Sequence, residues 1–196
     1  MAVIKMRLKL ALAALAWVPL AACSAGTPDG NRAGAMTDFA AGAFSLTAAD
    51  GKIVSNESLK GKPYAIFFGF TRCPDVCPTT LARMARLRKQ LGSDGDKFAI
   101  VFVSVDPEHD KPADIGRYVG LFGTPVIGLT GNKAQLDKAT KNFGVYVAKV
   151  PQPGGDYTID HTASVYLMDR NGRFVTTIDY AEGDATALAK LKRIIG

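Results

Sequence analysis

Hydrophobic residues form short continuous runs that alternate with stretches of helical spacing along most of the chain. The apolar runs at residues 64–70 and 98–105 predict two central strands that are buried on both faces. Between them, apolar positions recur at helical spacing and predict a helix from about Pro78 to Leu91. The remaining pattern predicts, in order, a helix at 114–122, a strand at 126–129, a helix at 133–143 capped by Asn132, a short strand at 145–150, a hairpin at 164–179 and a final helix at 184–195.

This alternation of strands and helices predicts an α/β fold in which helices flank a central mixed sheet. Two short apolar segments on either side of Ala48-Ala49-Asp50-Gly51 add an N-terminal β-hairpin to that prediction. With 196 residues, of which 47% are apolar, the chain can bury one substantial core. We therefore assign residues 41–196 to a single domain.

The first 22 residues have a different character and predict an export signal. A basic head containing Lys5, Arg7 and Lys9 precedes the apolar stretch 10–20, which is too short to span a bilayer comfortably. The following Leu-Ala-Ala-Cys, ending at Cys23, resembles the lipobox of bacterial lipoproteins, in which the cysteine is lipidated. An ordinary signal followed by a chance cysteine is the alternative.

The lipobox interpretation predicts an exported, membrane-anchored protein that faces the periplasm or the extracellular side. Residues 23–40 are small, polar or rich in Gly and Pro, so we expect a flexible tether between lipid and domain. Of the formal net charge of +6, three positive charges belong to the signal, and +3 remains on the mature chain. Such a small surplus argues against a nucleic-acid partner.

Candidate chemistry is concentrated at Cys73 and Cys77, in the run Cys-Pro-Asp-Val-Cys-Pro. Cys73 follows a predicted buried strand, and Cys77 begins a predicted helix, where open α/β sheets commonly bind ligands. A helix N-terminus favours thiolate over thiol. The spacing of four residues directs both sulfurs to one side, so they can bind one metal ion or form a disulfide.

His161 is the best candidate for a third ligand, although a single histidine is more often structural. It lies immediately before a predicted strand, and its neighbour Asp160 could orient the ring from the second coordination shell. Two thiolates and an imidazole suit Cu(I), and zinc could use the same set with a fourth ligand. The spacing alone does not establish that the three residues meet.

Four segments, in order, resemble the Sco/SenC family of copper-binding assembly proteins: residues 67–78, 104–108, 128–131 and 156–162. The resemblance extends over nearly the whole domain. It implies a thioredoxin-like fold with copper, as Cu(I) or Cu(II), bound by Cys73, Cys77 and His161. Asp106 matches an acidic position of the family near the site. It could help to dock partners, or it could simply be a turn residue at the end of a strand.

The resemblance further implies a metallochaperone that binds one copper ion and assists assembly of the copper site of cytochrome c oxidase. The implied partners are the copper-bearing oxidase subunit or another copper chaperone. Ala163 occupies the place where thioredoxin-like reductases carry a cis-proline, which favours a metal site. A thiol–disulfide oxidoreductase that reduces the same cysteines and a copper or redox sensor remain alternatives. We expect His109, the other histidine, to lie in an exposed loop.

Overall fold

A computed structural model describes residues 42–196 of the chain. The predicted signal peptide, Cys23 and the tether to residue 40 lie outside these residues. Within the described part, none of the helices combines the length and the apolar character needed to cross a membrane.

A seven-stranded mixed sheet forms the centre of the described fold. The strands of the described residues are β1 (Ser45–Ala48), β2 (Ile53–Ser55), β3 (Tyr64–Gly69), β4 (Ala99–Ser104), β5 (Val126–Thr130), β6 (Val147–Pro151), β7 (Tyr157–His161), β8 (Val165–Met168) and β9 (Phe174–Ile178). Their order in the sheet is β2-β1-β5-β4-β3-β8-β9. Strands β3, β4 and β5 run parallel, and β1 and β8 are antiparallel to their neighbours β5 and β3. Every residue of β3 and β4 is buried, as the unbroken apolar runs predicted.

In the part of the chain that the structure describes, four α-helices pack against this sheet: α1 (Val76–Gln90), α2 (Pro112–Gly120), α3 (Lys133–Phe143) and α4 (Asp184–Ile195). A 3₁₀ helix at Gly92–Lys97 follows α1. Leu81, Met84 and Leu87 recur at helical spacing in α1 and are buried, so burial of this apolar face stabilises the helix on the sheet. The mixed sheet flanked by helices and the N-terminal hairpin β1–β2 are therefore confirmed.

Helix α3 begins where its sequence predicts. The Asn132 side chain accepts a hydrogen bond from the Gln135 backbone N–H, and the Gln135 side chain accepts one from the Asn132 N–H, each at 2.9 Å. This reciprocal pair satisfies two amide groups that an uncapped helix would leave unbonded. The helix ends at Phe143, and Gly144 after it has a φ of 63° that is readily adopted only by glycine.

The segment at residues 157–161 differs from the sequence prediction, which placed no strand there. It forms β7, which pairs with β6 in a separate two-stranded antiparallel sheet. Val147 pairs with His161 and Pro151 pairs with Tyr157, so the Pro/Gly-rich stretch between them is the hairpin loop. Because side chains alternate along a strand, Tyr157, Ile159 and His161 share one face of β7. This hairpin carries His161 to the cysteines.

Candidate metal centre

The two cysteines are held at the junction of β3 and α1. Cys77 lies in the first turn of α1 and is fully buried, whereas Cys73 is partly exposed in the preceding loop. The Cys77 backbone N–H donates a hydrogen bond to Cys73 Sγ at 3.3 Å. Both cysteines are free thiols in the structure. The helix N-terminus thus directs an amide donor at the Cys73 sulfur, which favours its ionised form.

Gly69, the last residue of β3, makes room for the buried sulfur. A Cβ atom at this position would lie 2.7 Å from Cys77 Sγ and 3.1 Å from the Phe102 ring. Any side chain would therefore overlap the sulfur. A glycine inside a strand can mark such a close approach, and this signal was present in the sequence.

His161 completes the group from the end of β7. Its Nε2 lies 3.4 Å from Cys77 Sγ, and its ring packs edge-on against Phe67 and Phe70 at centroid distances of 5.9 and 6.0 Å. Its Nδ1 lies 3.0 Å from the backbone carbonyl oxygen of Thr162. A carbonyl can only accept, so Nδ1 carries the proton and donates it, and the Nε2 lone pair faces the sulfurs.

The two thiols are inequivalent. The pKa of Cys73 is lowered to about 4, chiefly because the Cys77 thiol donates a hydrogen bond to its sulfur and further because backbone N–H groups of the cysteine loop and the first turn of α1 point at it. The pKa of Cys77 is raised, because its proton is held in that same hydrogen bond and because the group is buried. At neutral pH the site therefore contains a Cys73 thiolate and a Cys77 thiol.

A buried carboxylate that sequence reasoning missed anchors the cysteine loop. Asp110 accepts hydrogen bonds from the Thr71 backbone N–H at 2.8 Å and from the Thr71 hydroxyl at 2.5 Å. It also accepts one from the Ser104 hydroxyl at 2.5 Å. Asp110 therefore ties the residues just before Cys73 to the end of β4.

The two acidic candidates lie in contrasting places. Asp160 is exposed on the opposite face of β7 from His161, so the hydrogen bond that orients the ring comes from Thr162 and not from Asp160. Asp106 is fully buried and accepts a hydrogen bond from the Tyr157 hydroxyl at 2.6 Å. Its burial excludes direct contact of this carboxylate with a docked partner. His109 is partly exposed, as expected, but its Nδ1 also lies 3.0 Å from Asp106.

The three candidate ligands come together. Cys73 Sγ, Cys77 Sγ and a ring nitrogen of His161 all lie within 4.8 Å of one another. Among the residues that the structure describes, this trio is the one group of His, Cys, Asp and Glu side chains with ligand spacing. Two sulfurs and one imidazole nitrogen form a compact, soft donor set that suits copper. The same two sulfurs are close enough for thiol–disulfide chemistry after a small movement.

Comparison with known proteins gives consistent matches. The sequence model of the SCO1/SenC family matches residues 33–196. A SCO2-like protein of Rickettsia conorii is 38% identical over 136 residues, which cover 68% of this chain and 66% of the relative. The match thus spans slightly less than two thirds of that relative's length.

Two solved structures are similar over most of the described residues. The copper-bound structure of Bradyrhizobium japonicum ScoI is 47% identical, with a TM-score of 0.71, and the match covers 78% of this chain and 97% of that one. BsSco, described as a member of the Sco family of cytochrome c oxidase assembly proteins with a disulfide switch, is 30% identical. Its TM-score is 0.63, with 81% and 94% of the two chains covered. The expected thioredoxin-like fold is confirmed.

Proposed function

We propose, from the premise that this chain belongs to the SCO1/SenC family, that it is a metallochaperone that binds one copper ion through Cys73, Cys77 and His161. The observation that carries the proposal is the convergence of three ligand atoms within 4.8 Å, with the His161 lone pair already facing the sulfurs. The copper-bound relative ScoI supports the choice of metal.

The donor set itself favours copper over zinc. Structural zinc sites almost always have four protein ligands, whereas two thiolates and one imidazole form a three-ligand set that suits Cu(I). Cys73 is ionised and partly exposed, so it is the first sulfur that an incoming ion meets. Cys77 and His161 then close around the ion from the buried side. This order of contacts suits a protein that must both accept and release a copper ion.

We further propose that the recipient is the copper site of cytochrome c oxidase, reached directly or through another copper chaperone. The description of BsSco as a member of an oxidase assembly family supports this step. The lipid anchor at Cys23 would hold the domain near such a membrane partner, on the periplasmic or extracellular side. Membrane release of a Cys23→Ala variant, compared with wild type in cell fractions, tests the anchor.

A second candidate function, thiol–disulfide exchange, is favoured by the inequivalent thiols. The Cys73 thiolate would attack one sulfur of a partner's disulfide and displace the other as a thiolate. Cys77 would then lose its proton, attack Cys73 and release the second partner thiol, so the partner gains two electrons and this chain forms a disulfide. The described disulfide switch of BsSco supports this chemistry.

One variant pair separates these functions. We expect His161→Ala to weaken copper binding by at least tenfold and to keep the thiol-exchange chemistry, because the imidazole is a metal ligand and not a redox group. Asp160→Ala, an exposed neighbour on the same strand, is the matched control and should bind copper normally. Chelator competition on the purified protein gives the affinity, and unchanged binding by His161→Ala would refute the metal site.

A cellular measurement decides between delivery and sensing. If the chain delivers copper, cells that lack it should contain oxidase depleted in copper, and the His161→Ala gene should fail to restore it. A normal copper content in those cells would instead support a copper or redox sensor.

A further inference from the structure

His161 lies on a hairpin that has no strand pairing with the main sheet. Strands β6 and β7 pair with each other and form a sheet separate from the seven-stranded one. An isolated two-stranded hairpin is only marginally stable in water. Beneath it, a groove of about 530 Å³ lined by Val147 and Ile159 of the hairpin and by Val105 and Leu136 of the body leaves part of its inner face loosely packed. The hairpin has a second interaction with the body besides the apolar packing of Ile159 and of the His161 ring.

A polar cluster at the far end of the hairpin supplies that interaction. The Tyr157 hydroxyl donates a hydrogen bond to the buried carboxylate of Asp106 at 2.6 Å. Glu108 Oε2 and His109 Nδ1 each lie 3.0 Å from the same hydroxyl. Burial and the two neighbouring carboxylates raise the pKa of Tyr157, so its hydroxyl keeps the proton that it donates. Tyr157 thus fastens the start of β7 to the loop after β4.

The same cluster reaches the cysteine loop through Arg72, the neighbour of Cys73. Arg72 Nη1 donates to Asp156 at 2.8 Å, and its Nη2 lies 3.5 Å from Asp106. The Arg72 guanidinium carbon also lies 5.4 Å from the centre of the Tyr157 ring, within the range of a cation–π contact. One cluster therefore contacts the segments that carry both the first cysteine and the histidine.

Lys149 of β6 joins the second strand of the hairpin to this cluster. Its ammonium lies 4.0 Å from the centre of the Tyr157 ring and 2.5 Å from Glu108. Tyr157 and His161 share a face of β7 and are four residues apart, or about 13 Å along an extended strand. The strand therefore couples the position of Tyr157 at its start to the position of His161 at its end.

We propose that Tyr157 is a positioning residue for the metal site, which acts by holding the hairpin so that His161 meets the two sulfurs. The expected effect of Tyr157 on copper binding rests on the proposed copper site. The hydrogen bonds by which Tyr157 holds the hairpin are a property of the metal-free protein. Tyr157 itself touches neither the cysteines nor the metal.

The experiment compares Tyr157→Phe with Tyr146→Phe in the full chain. Tyr146 precedes the same hairpin and its side chain is exposed, so it is a matched control. Loss of a hydrogen bond to a charged group should speed backbone amide exchange of residues 147–161 about tenfold, with no change in β3 and β4. We expect Tyr146→Phe to exchange like wild type. Hairpin exchange at the wild-type rate in Tyr157→Phe would overturn the proposal.

A second measurement follows copper binding, through its dissociation rate and its absorption band. In Tyr157→Phe, copper should dissociate about tenfold faster, and the thiolate-to-copper charge-transfer band should shift because the imidazole is less well placed. Faster exchange with an unchanged band and dissociation rate would overturn the positioning role. If wild type bound no copper, the proposed function would fail, and the exchange data would still decide whether Tyr157 holds the hairpin.

A second variant keeps the test decisive if Tyr157→Phe folds poorly. Arg72→Lys retains the positive charge but loses the planar guanidinium that contacts Asp156 and Tyr157 together. Arg86→Lys is its control, because Arg86 is an exposed residue of α1 paired with Asp184. The amide exchange rate of the hairpin should rise in Arg72→Lys and stay at the wild-type value in Arg86→Lys. Equal rates in the two variants would contradict the proposal that this polar cluster holds the hairpin.

Discussion

Replacement of Gly69 by alanine should disturb the metal site through steric overlap alone. The added Cβ would lie 2.7 Å from Cys77 Sγ, 3.1 Å from Phe102 and 3.2 Å from Phe67. Carbon and sulfur pack at a van der Waals distance well above 3 Å, so the overlap with the sulfur is about 1 Å. Cys77 and Phe102 are both fully buried, so relief of the overlap requires closely packed neighbours to shift as well.

The expected cost follows from that overlap. Adding one methyl group to a closely packed core typically lowers the free energy of unfolding by about 1–3 kcal/mol. The same overlap should displace the Cys77 sulfur by several tenths of an ångström, whereas ligand distances in a metal site tolerate about 0.2 Å. We therefore expect Gly69→Ala to lose both stability and at least tenfold in copper affinity.

Gly120→Ala provides the matched control for Gly69→Ala. Gly120 ends helix α2, and a Cβ there would meet no atom within 4 Å. Since alanine favours helix over glycine by up to about 1 kcal/mol, this variant should be neutral or slightly more stable. Urea unfolding and chelator competition measure both quantities. Equal stability and equal copper affinity in the two variants would refute the packing argument.

Two further predictions concern the protonation and the anchoring of the cysteine loop. Because the pKa of Cys73 is about 4, its alkylation rate should be nearly constant between pH 6 and 8 and fall only as the pH approaches 4. Cys77→Ala removes the main cause of this shift, so the rate should then rise with pH, by about tenfold per unit well below the new pKa; a flat profile in that variant would contradict the assignment. Asp110→Asn replaces one acceptor of the hydrogen bonds from Thr71 and Ser104 with a donor, and should lower the free energy of unfolding by about 1–3 kcal/mol in urea. An unchanged midpoint would show that Asp110 does not anchor the loop.

For residues 42–196, the sequence pattern predicted most of the sheet and all four α-helices, because burial on one or both faces leaves a clear periodicity. Strand β7 was missed although Tyr157, Ile159 and His161 alternate with the polar Thr158 and Asp160, the pattern of a half-buried strand. The adjoining Pro/Gly-rich stretch predicted only a loop, and the short strand after it received no assignment.

Only part of the site could be predicted from the sequence, and the reasons are physical. Four-residue spacing at a helix N-terminus places Cys73 and Cys77 together by local geometry. The position of His161 beside the two cysteines depends on the register of β6 and β7 and on where the hairpin packs. Neither can be read from the spacing of these residues in the sequence. Asp110 and Tyr157 act through contacts between residues 39 and 51 positions apart in sequence, which a single sequence does not reveal.

The unequal protonation of Cys73 and Cys77 bears on the charge of the proposed copper site. The metal-free site holds one thiolate and one thiol and so carries a charge of about −1. If copper entered as Cu(I) and the Cys77 proton left, one unit positive charge would replace another, and the net charge of the site would stay the same. Release would reverse the exchange, so neither direction would place an additional charge beside the buried Cys77 sulfur. Loading of the proposed site with a monovalent metal ion would thus exchange it for a proton at little electrostatic cost.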